Sequence, residues 1–168
     1  MAPSPLQKIV SGGQSGVDRG ALDAAIDSHF PHGGWCPRGR LAEDGPIDRR
    51  YQLTETESAQ YAVRTERNVL DSDATLILSA GVLSGGTLLT QQLAQQHDKP
   101  LLVVDLTVKL DGPLDVQEAR QFVSIHDVCV LNVAGPRESG SPGISAQAAE
   151  FVARLLTGEP LASDDLQR

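Results

Sequence analysis

The chain has 168 residues, 40% apolar and 21% charged, which suits one globular domain that buries its own core. A formal net charge of −8 argues against a nucleic-acid partner, whose phosphates need a basic face, and aromatics at 4% leave little for base stacking or an aromatic cage. No stretch approaches the roughly 18 apolar residues of a membrane span and no basic-then-apolar leader opens the chain, so a cytoplasmic protein with no membrane partner is expected.

Lys8 to Ser11 reads as a short buried strand. Gly16 to His29 reads as a helix, with Ala21, Leu22, Ala25 and Ile26 on one face and Asp23 and Asp27 on the other. Gly33 to Cys36 is a second, weaker strand. The polar stretch 37–51, P-R-G-R-L-A-E-D-G-P-I-D-R-R-Y, is a long loop of the kind that carries function or moves. Thr56 to Leu70 returns to helical periodicity, with Ala59, Ala62, Val63 and Leu70 as the inner face. Ala74 to Ser79 is the clearest strand. Gly86 to His97 is a helix, Pro100 to Asp105 a strand, Val116 to His126 a helix, Val128 to Val133 the last strand, and Ile144 to Leu156 the last helix before a polar tail. Cys36 and Cys129 fall in separate predicted strands without metal-ligand spacing and read as buried free thiols of a reducing compartment.

Strands alternate with helices, and the strongest strands are apolar at consecutive positions, as strands covered on both faces must be. The expected fold is therefore α/β: a Rossmann-like three-layer sandwich with a mainly parallel sheet of about five strands in the order 2-1-3-4-5, as one domain with its core at about residues 7–157. That order makes the strands ending at Ser11 and Ser79 neighbours. The loops after them, S-G-G-Q-S-G and S-A-G-V-L-S-G-G-T, would then face each other across one crevice. Glycine lets a ligand approach the backbone, and a helix start offers unpaired N–H groups and about half a positive charge, so an anion site needs no basic side chain there. Gly12, Gly13, Gln14, Ser15 and Gly16 in the first loop, and Ser79, Ser84, Gly85, Gly86 and Thr87 in the second, are the candidates. Neither loop fits the dinucleotide fingerprint or the P-loop. Asp18, in the first turn of the first helix, reads either as a partner of the helix dipole or as a ligand acceptor. Arg19 reads as a surface residue.

Five segments carry a resemblance. They are K-I-V-S-G-G-Q-S-G-V-D-R-G-A-L-D-A-A, P-R-G-R-L-A-E-D-G-P-I, Y-A-V-R-T-E-R-N-V-L-D-S-D-A-T-L-I-L, L-S-G-G-T and L-N-V-A-G-P-R-E-S-G-S-P-G-I. In this order, over about residues 8 to 157, the chain resembles the molybdenum carrier, or molybdenum-cofactor carrier, family. That family is similar in turn to a wider Rossmann-like group containing cytokinin-activating phosphoribohydrolases and nucleotide-sensing proteins. The resemblance implies a homo-oligomer (dimer or tetramer) and a small anionic ligand at the glycine loops: molybdenum cofactor or molybdate, otherwise a nucleotide or phosphate. It also implies delivery to a molybdoenzyme or a cofactor-biosynthesis partner. Arg38 with Gly39 in P-R-G-R, and Gly135, Arg137 and Ser139 in G-P-R-E-S, follow predicted strands and should reach the binding edge. A guanidinium fork there suits an oxyanion, unless loop carboxylates occupy it. Glu43 and Asp44 are candidate acceptors for pterin N–H groups, and Thr65 and Asn68 sit on the helix before the central strand.

The phosphoribohydrolases carry P-G-G-x-G-T-x-x-E. Here S-G-G-T-L-L-T puts Thr90 where their Glu stands, and a hydroxyl cannot do a carboxylate's work, so a binding protein is favoured over an N-glycosidase. No catalytic residue and no metal ligand is assigned. His29, His32, His97 and His126 are scattered and read as solvated or capping groups. Asp71 and Asp73 lie at the far end of the central strand and read as helix-stop and solvent-facing residues.

Overall fold

The structure is a computed structural model that describes residues 3–108 and 114–157. The tail expected after the last helix lies outside the described residues. In chain order the elements are β1 (Lys8–Val10), α1 (Val17–Asp27), β2 (His32–Gly33), β3 (Trp35–Cys36), β4 (Thr54–Glu55), α2 (Tyr61–Leu70), β5 (Ala74–Ser79), α3 (Gly85–Gln96), β6 (Leu101–Asp105), α4 (Leu114–Ile125), β7 (Val130–Ala134) and α5 (Ile144–Thr157).

Five strands form one parallel sheet in the order β2-β1-β7-β5-β6, and β3 and β4 form a separate parallel pair. The α/β class and the parallel sheet match the sequence reading; the strand order corrects it. The last strand of the chain inserts between the first and the central strand, so β1 and β5 are not neighbours. Both pair with β7: Val10 lies opposite Asn132, and so does Thr75. Counted from β7 as the first strand, the order becomes 3-2-1-4-5, the doubly wound nucleotide-binding arrangement with its beginning and end exchanged. The reversal point then lies between β7 and β5.

Alternation along the strands divides the core. Ile9, Leu76, Leu78, Leu131 and Val133 face α1, α4 and α5, in a cluster that includes Ala21, Val123 and Phe151. The opposite face is covered by α2 and α3, whose smaller cluster joins Val69 to Leu93 and Ala94. No helix among the described residues is long and apolar enough to cross a membrane.

Three further expectations change. The strand expected at Gly33–Cys36 breaks into β2 and β3. Gly34 between them has φ +124 in a place where a Cβ would sit 2.3 Å from the Ser11 carbonyl oxygen. The helix expected from Thr56 begins only at Tyr61, because Thr54–Glu55 pairs with β3. Its buried residues are Arg64, Asn68 and Val69, while Ala62 is exposed and Leu70 is 42% exposed. Cys36 is buried, but Cys129 precedes β7 and is only partly buried.

Candidate functional site

At the carboxyl ends of β7 and β5, where the order reverses, lies a cavity of about 390 Å³. Its walls are the loop from Ser79 into α3, the loop 135–141 after β7, one side of α2, and part of the first glycine loop; Asn132 of β7 also lines it.

The start of α3 opens into this cavity. Ser84 precedes the helix in an extended conformation and makes no side-chain cap. Gly85 and Gly86 are exposed, and a Cβ at either would meet nothing within 4 Å. The first N–H groups of α3 thus face open space with the helix dipole behind them. The start of α1 does not. Gly16 (φ +86) lies so close to the β7 loop that a Cβ would fall 2.2 Å from the Pro136 oxygen. Val17 N–H donates to that same carbonyl at 3.2 Å. With β7 between β1 and β5, its loop covers α1. The two helix starts expected to face one another are reduced to one open start.

The remaining candidates divide between the cavity and its surroundings. Gly12, Gln14, Asp18, Thr65, Asn68, Ser79, Ser84, Gly85, Gly86, Thr87, Gly135, Arg137 and Ser139 all line it. Several of these are already engaged: Thr65 Oγ1 donates to the Tyr61 carbonyl, and Asn68 bridges the N–H and C=O of Trp35. The Gln14 Oε1 accepts from the N–H groups of Ser15 (3.0 Å) and Glu43 (2.9 Å), whereas its buried Nε2 has no partner among the described residues.

Ser15, Gly16, Glu43 and Asp44 lie instead along a shallower depression, which Ser139 also borders. Glu43 ties three loops together there. Its carboxylate accepts from the hydroxyl of Ser15 and from the N–H (3.2 Å) and hydroxyl (2.6 Å) of Ser139. These bonds, the Ser139 hydroxyl first, then Ser15, hold the Glu43 carboxyl below its usual range. Asp44 forms a fork with Arg19 at 2.5 and 2.7 Å, so Arg19 is a tether rather than a free surface cation. Both carboxylates are thus bonded within the fold. Gly13 packs against Leu53 and Ile47 of the same long loop. Arg38 is exposed and Gly39 donates its N–H to Glu55; neither lines either depression. Asp73 accepts from the N–H groups of Cys129 and Val130, so it is a bonded support of the sheet.

The sequence reading did not single out Arg64. Its side chain is 10% exposed and pairs with Asp18 at 3.1 Å. Asp18 also accepts from Gln14 N–H, so it is neither a simple dipole partner nor a free ligand acceptor. Burial pushes its carboxyl above the ordinary value, against the opposing pull of Arg64 and the Gln14 N–H. Gly12 exists to admit this guanidinium: a Cβ there would sit 1.6 Å from Arg64 Nη1. The available signal was the spacing of Arg64 and Asn68, one helical turn apart on a single face. Tyr61 was missed too; its ring centroid lies 5.5 Å from the Arg64 guanidinium and 5.1 Å from that of Arg137. Arg137 makes no ion pair among the described residues and is exposed at the cavity rim. Thr90 is buried and turns its hydroxyl to the Gly86 carbonyl at 2.9 Å.

Among the described residues no group of three or more His, Cys, Asp or Glu is placed to hold a metal ion. The cavity walls offer N–H, hydroxyl and guanidinium donors, with neither thiol nor imidazole. Such donors suit the oxygen atoms of an anion.

No curated protein matches the chain in sequence. A crystal structure of a "Putative molybdenum carrier protein" from Syntrophus aciditrophicus SB superposes with a TM-score of 0.88 at 44% identity, covering 91% of this chain and 96% of that one. A profile for the circularly permutated YpsA SLOG family matches residues 9–156, and the exchanged beginning and end of the sheet order agree with that description. The chain belongs to the circularly permutated YpsA SLOG family.

Proposed function

We propose that this protein binds and carries a small oxyanionic cargo, molybdenum cofactor or molybdate, at the cavity between β7 and β5. The observation that carries the reading is the meeting of the open α3 start with the exposed guanidinium of Arg137 at one cavity. Phosphate or oxo oxygens suit the N–H groups of α3 and the hydroxyls of Ser84 and Thr87. Arg137 adds a planar fork at the rim. The cargo's metal would be held through its own oxygens or its dithiolene, so no protein ligand to it is needed. The name of the 44% identical relative points the same way.

Turnover is disfavoured. The position where the phosphoribohydrolases place their Glu is Thr90, whose hydroxyl is committed to the helix backbone. Asp18, the carboxylate among the lining residues, is paired with Arg64. A nucleotide-sensing domain is the alternative reading, favoured by a cavity of about 390 Å³, within the roughly 300–1,000 Å³ of small-molecule sites. Delivery to a molybdoenzyme or cofactor-assembly partner, and self-association into a dimer or tetramer, belong to the carrier proposal.

Calorimetric titration with molybdate, phosphate and nucleoside monophosphates at fixed ionic strength tests the reading, alongside metal analysis of the purified protein. Oxyanion binding that weakens in Arg137→Ala supports it. Release of free base from a nucleoside monophosphate would replace it with the enzyme reading. A protein that binds none of these anions would end it.

A further inference from the structure

In β7 and β5, Asn132 stands among side chains that are otherwise apolar or hydroxyl-bearing. It lies in the middle of β7, between β1 and β5, opposite both Val10 and Thr75. Its neighbours Leu131 and Val133 turn into the main core, so Asn132 turns to the other face. It is 3% exposed and Thr75 is fully buried. Its Nδ2 donates to Thr75 Oγ1 at 3.2 Å, while its Oδ1 accepts no hydrogen bond among the described residues. The amide oxygen is therefore open to the cavity and free to accept a hydrogen bond there. The residue lines the same cavity as the open start of α3.

From this placement we infer that Asn132 reads the organic body of the ligand, its Oδ1 accepting from an uncharged N–H or O–H donor. The inference rests on the anion-site reading and narrows it. The cargo is then an oxyanion-bearing organic molecule and not a free tetrahedral oxyanion. Two observations agree. A bare oxyanion of about five heavy atoms leaves most of the 390 Å³ cavity unfilled, given that a water's share of liquid volume is about 30 Å³. The anion donors, Ser84 to Thr87 and Arg137, come from the rim loops, whereas Asn132 belongs to the sheet itself. A ligand touching both has a charged end and a neutral hydrogen-bonding end. Thr75 acts through Asn132, anchoring one end of its amide.

The test is calorimetric titration of the full chain with inorganic phosphate, ribose 5-phosphate, and adenosine and guanosine monophosphates, on the wild type and on Asn132→Leu. The inference expects at least one organic phosphate to bind about tenfold more tightly than inorganic phosphate to the wild type. Ribose 5-phosphate alone showing the gain identifies a sugar hydroxyl as the donor; a further gain with a base identifies a ring or amino N–H. Asn132→Leu should bring the preference to within about threefold while leaving inorganic phosphate unchanged. Asn132→Ser, which shortens the side chain and keeps it polar, should do the same if the leucine variant fails to fold. A wild type without preference for organic phosphates, or variants that retain it in full, overturns the role of Asn132 while leaving the anion site standing. Absence of binding by every probe overturns both.

Discussion

Two arginines at one cavity have opposite tasks. Arg64 is a structural ion held by Asp18 and by the Tyr61 carbonyl, with Gly12 leaving room for it. Arg137 is an exposed cation that makes no ion pair among the described residues, beside the Tyr61 ring at the cavity rim. Truncating one member of a buried pair strands the other charge, so Arg64→Ala should lose about 3–5 kcal/mol in urea unfolding. A double variant, Asp18→Asn with Arg64→Met, should recover most of that loss, because no charge is then left buried. Arg137→Ala should unfold like the wild type, within about 0.5 kcal/mol, yet bind oxyanions about tenfold more weakly in a titration. The carboxylates separate in the same way under acid. The Asp18 carboxyl is raised from its ordinary 3.8. Its linkage term therefore stabilises fully below that pH and is lost as pH rises through the folded-state value. Glu43 is lowered from 4.5, so its contribution is complete above that pH and disappears as pH falls through the folded-state value. Amide protection in loop 37–53, taken relative to the intrinsic exchange rate at each pH, should thus fall on acidification below about 4.5. Glu43→Gln should exchange faster already at neutral pH, with the acid step gone, because the amide is a weaker acceptor for Ser15 and Ser139.

Among the elements, α1 and α3 differ in how their starts are covered. Both begin with glycine-rich turns that look alike on paper; one is sealed by the Pro136 carbonyl and the other is open. Gly86→Asp tests the difference directly. Position 86 has room for a side chain and no strained φ, and an acidic residue in the first turn favours a helix by about 0.3–1 kcal/mol. The variant should melt at or above the wild-type temperature while losing oxyanion binding, since its own carboxylate takes the place of the ligand. Binding unchanged in that variant would move the anion away from α3. The helix itself was legible, as were β5, β6 and α5, because their apolar runs and periodicities are long. The boundary of α2 was not. Its buried face is polar, Arg64 and Asn68, and binary patterning assigns such residues to solvent. What rewards their burial is a carboxylate and a backbone edge contributed by chain 46 and 33 residues away.

Over the whole molecule, alternation of strands and helices revealed the class, and the glycine turns marked the edge of the sheet where the cavity lies. Strand order was hidden for a topological reason. A chain that starts at the second strand of a doubly wound sheet has the same local patterns as one that starts at the first. Only long-range pairing, such as Ile9 with Leu131, distinguishes them. Hence the predicted crevice between β1 and β5 is displaced by one strand, and thirteen of the candidate residues line the cavity between β7 and β5, since every loop concerned rises from the same edge of the sheet. This origin makes a prediction about connectivity. A rearranged chain that begins at Asp127, runs through β7 and α5, and is joined from Thr157 by a glycine-serine linker to Gln7 would carry its strands in the order 3-2-1-4-5. The new ends fall between α4 and β7, at a turn flanked by exposed Ile125, away from the cavity. Termini and exposed turns tolerate such reconnection because few buried contacts cross them. The Gln7 and Lys8 N–H groups already bond the Cys129 carbonyl, so β1 pairs with β7 independently of which segment precedes it. The permuted chain should unfold in one transition with an unchanged denaturant slope and bind oxyanions within about threefold of the native chain. Folding with the slope intact but without binding would mean that the rim loops depend on the natural order, and the cavity could not then be treated as a property of the sheet's reversal point alone.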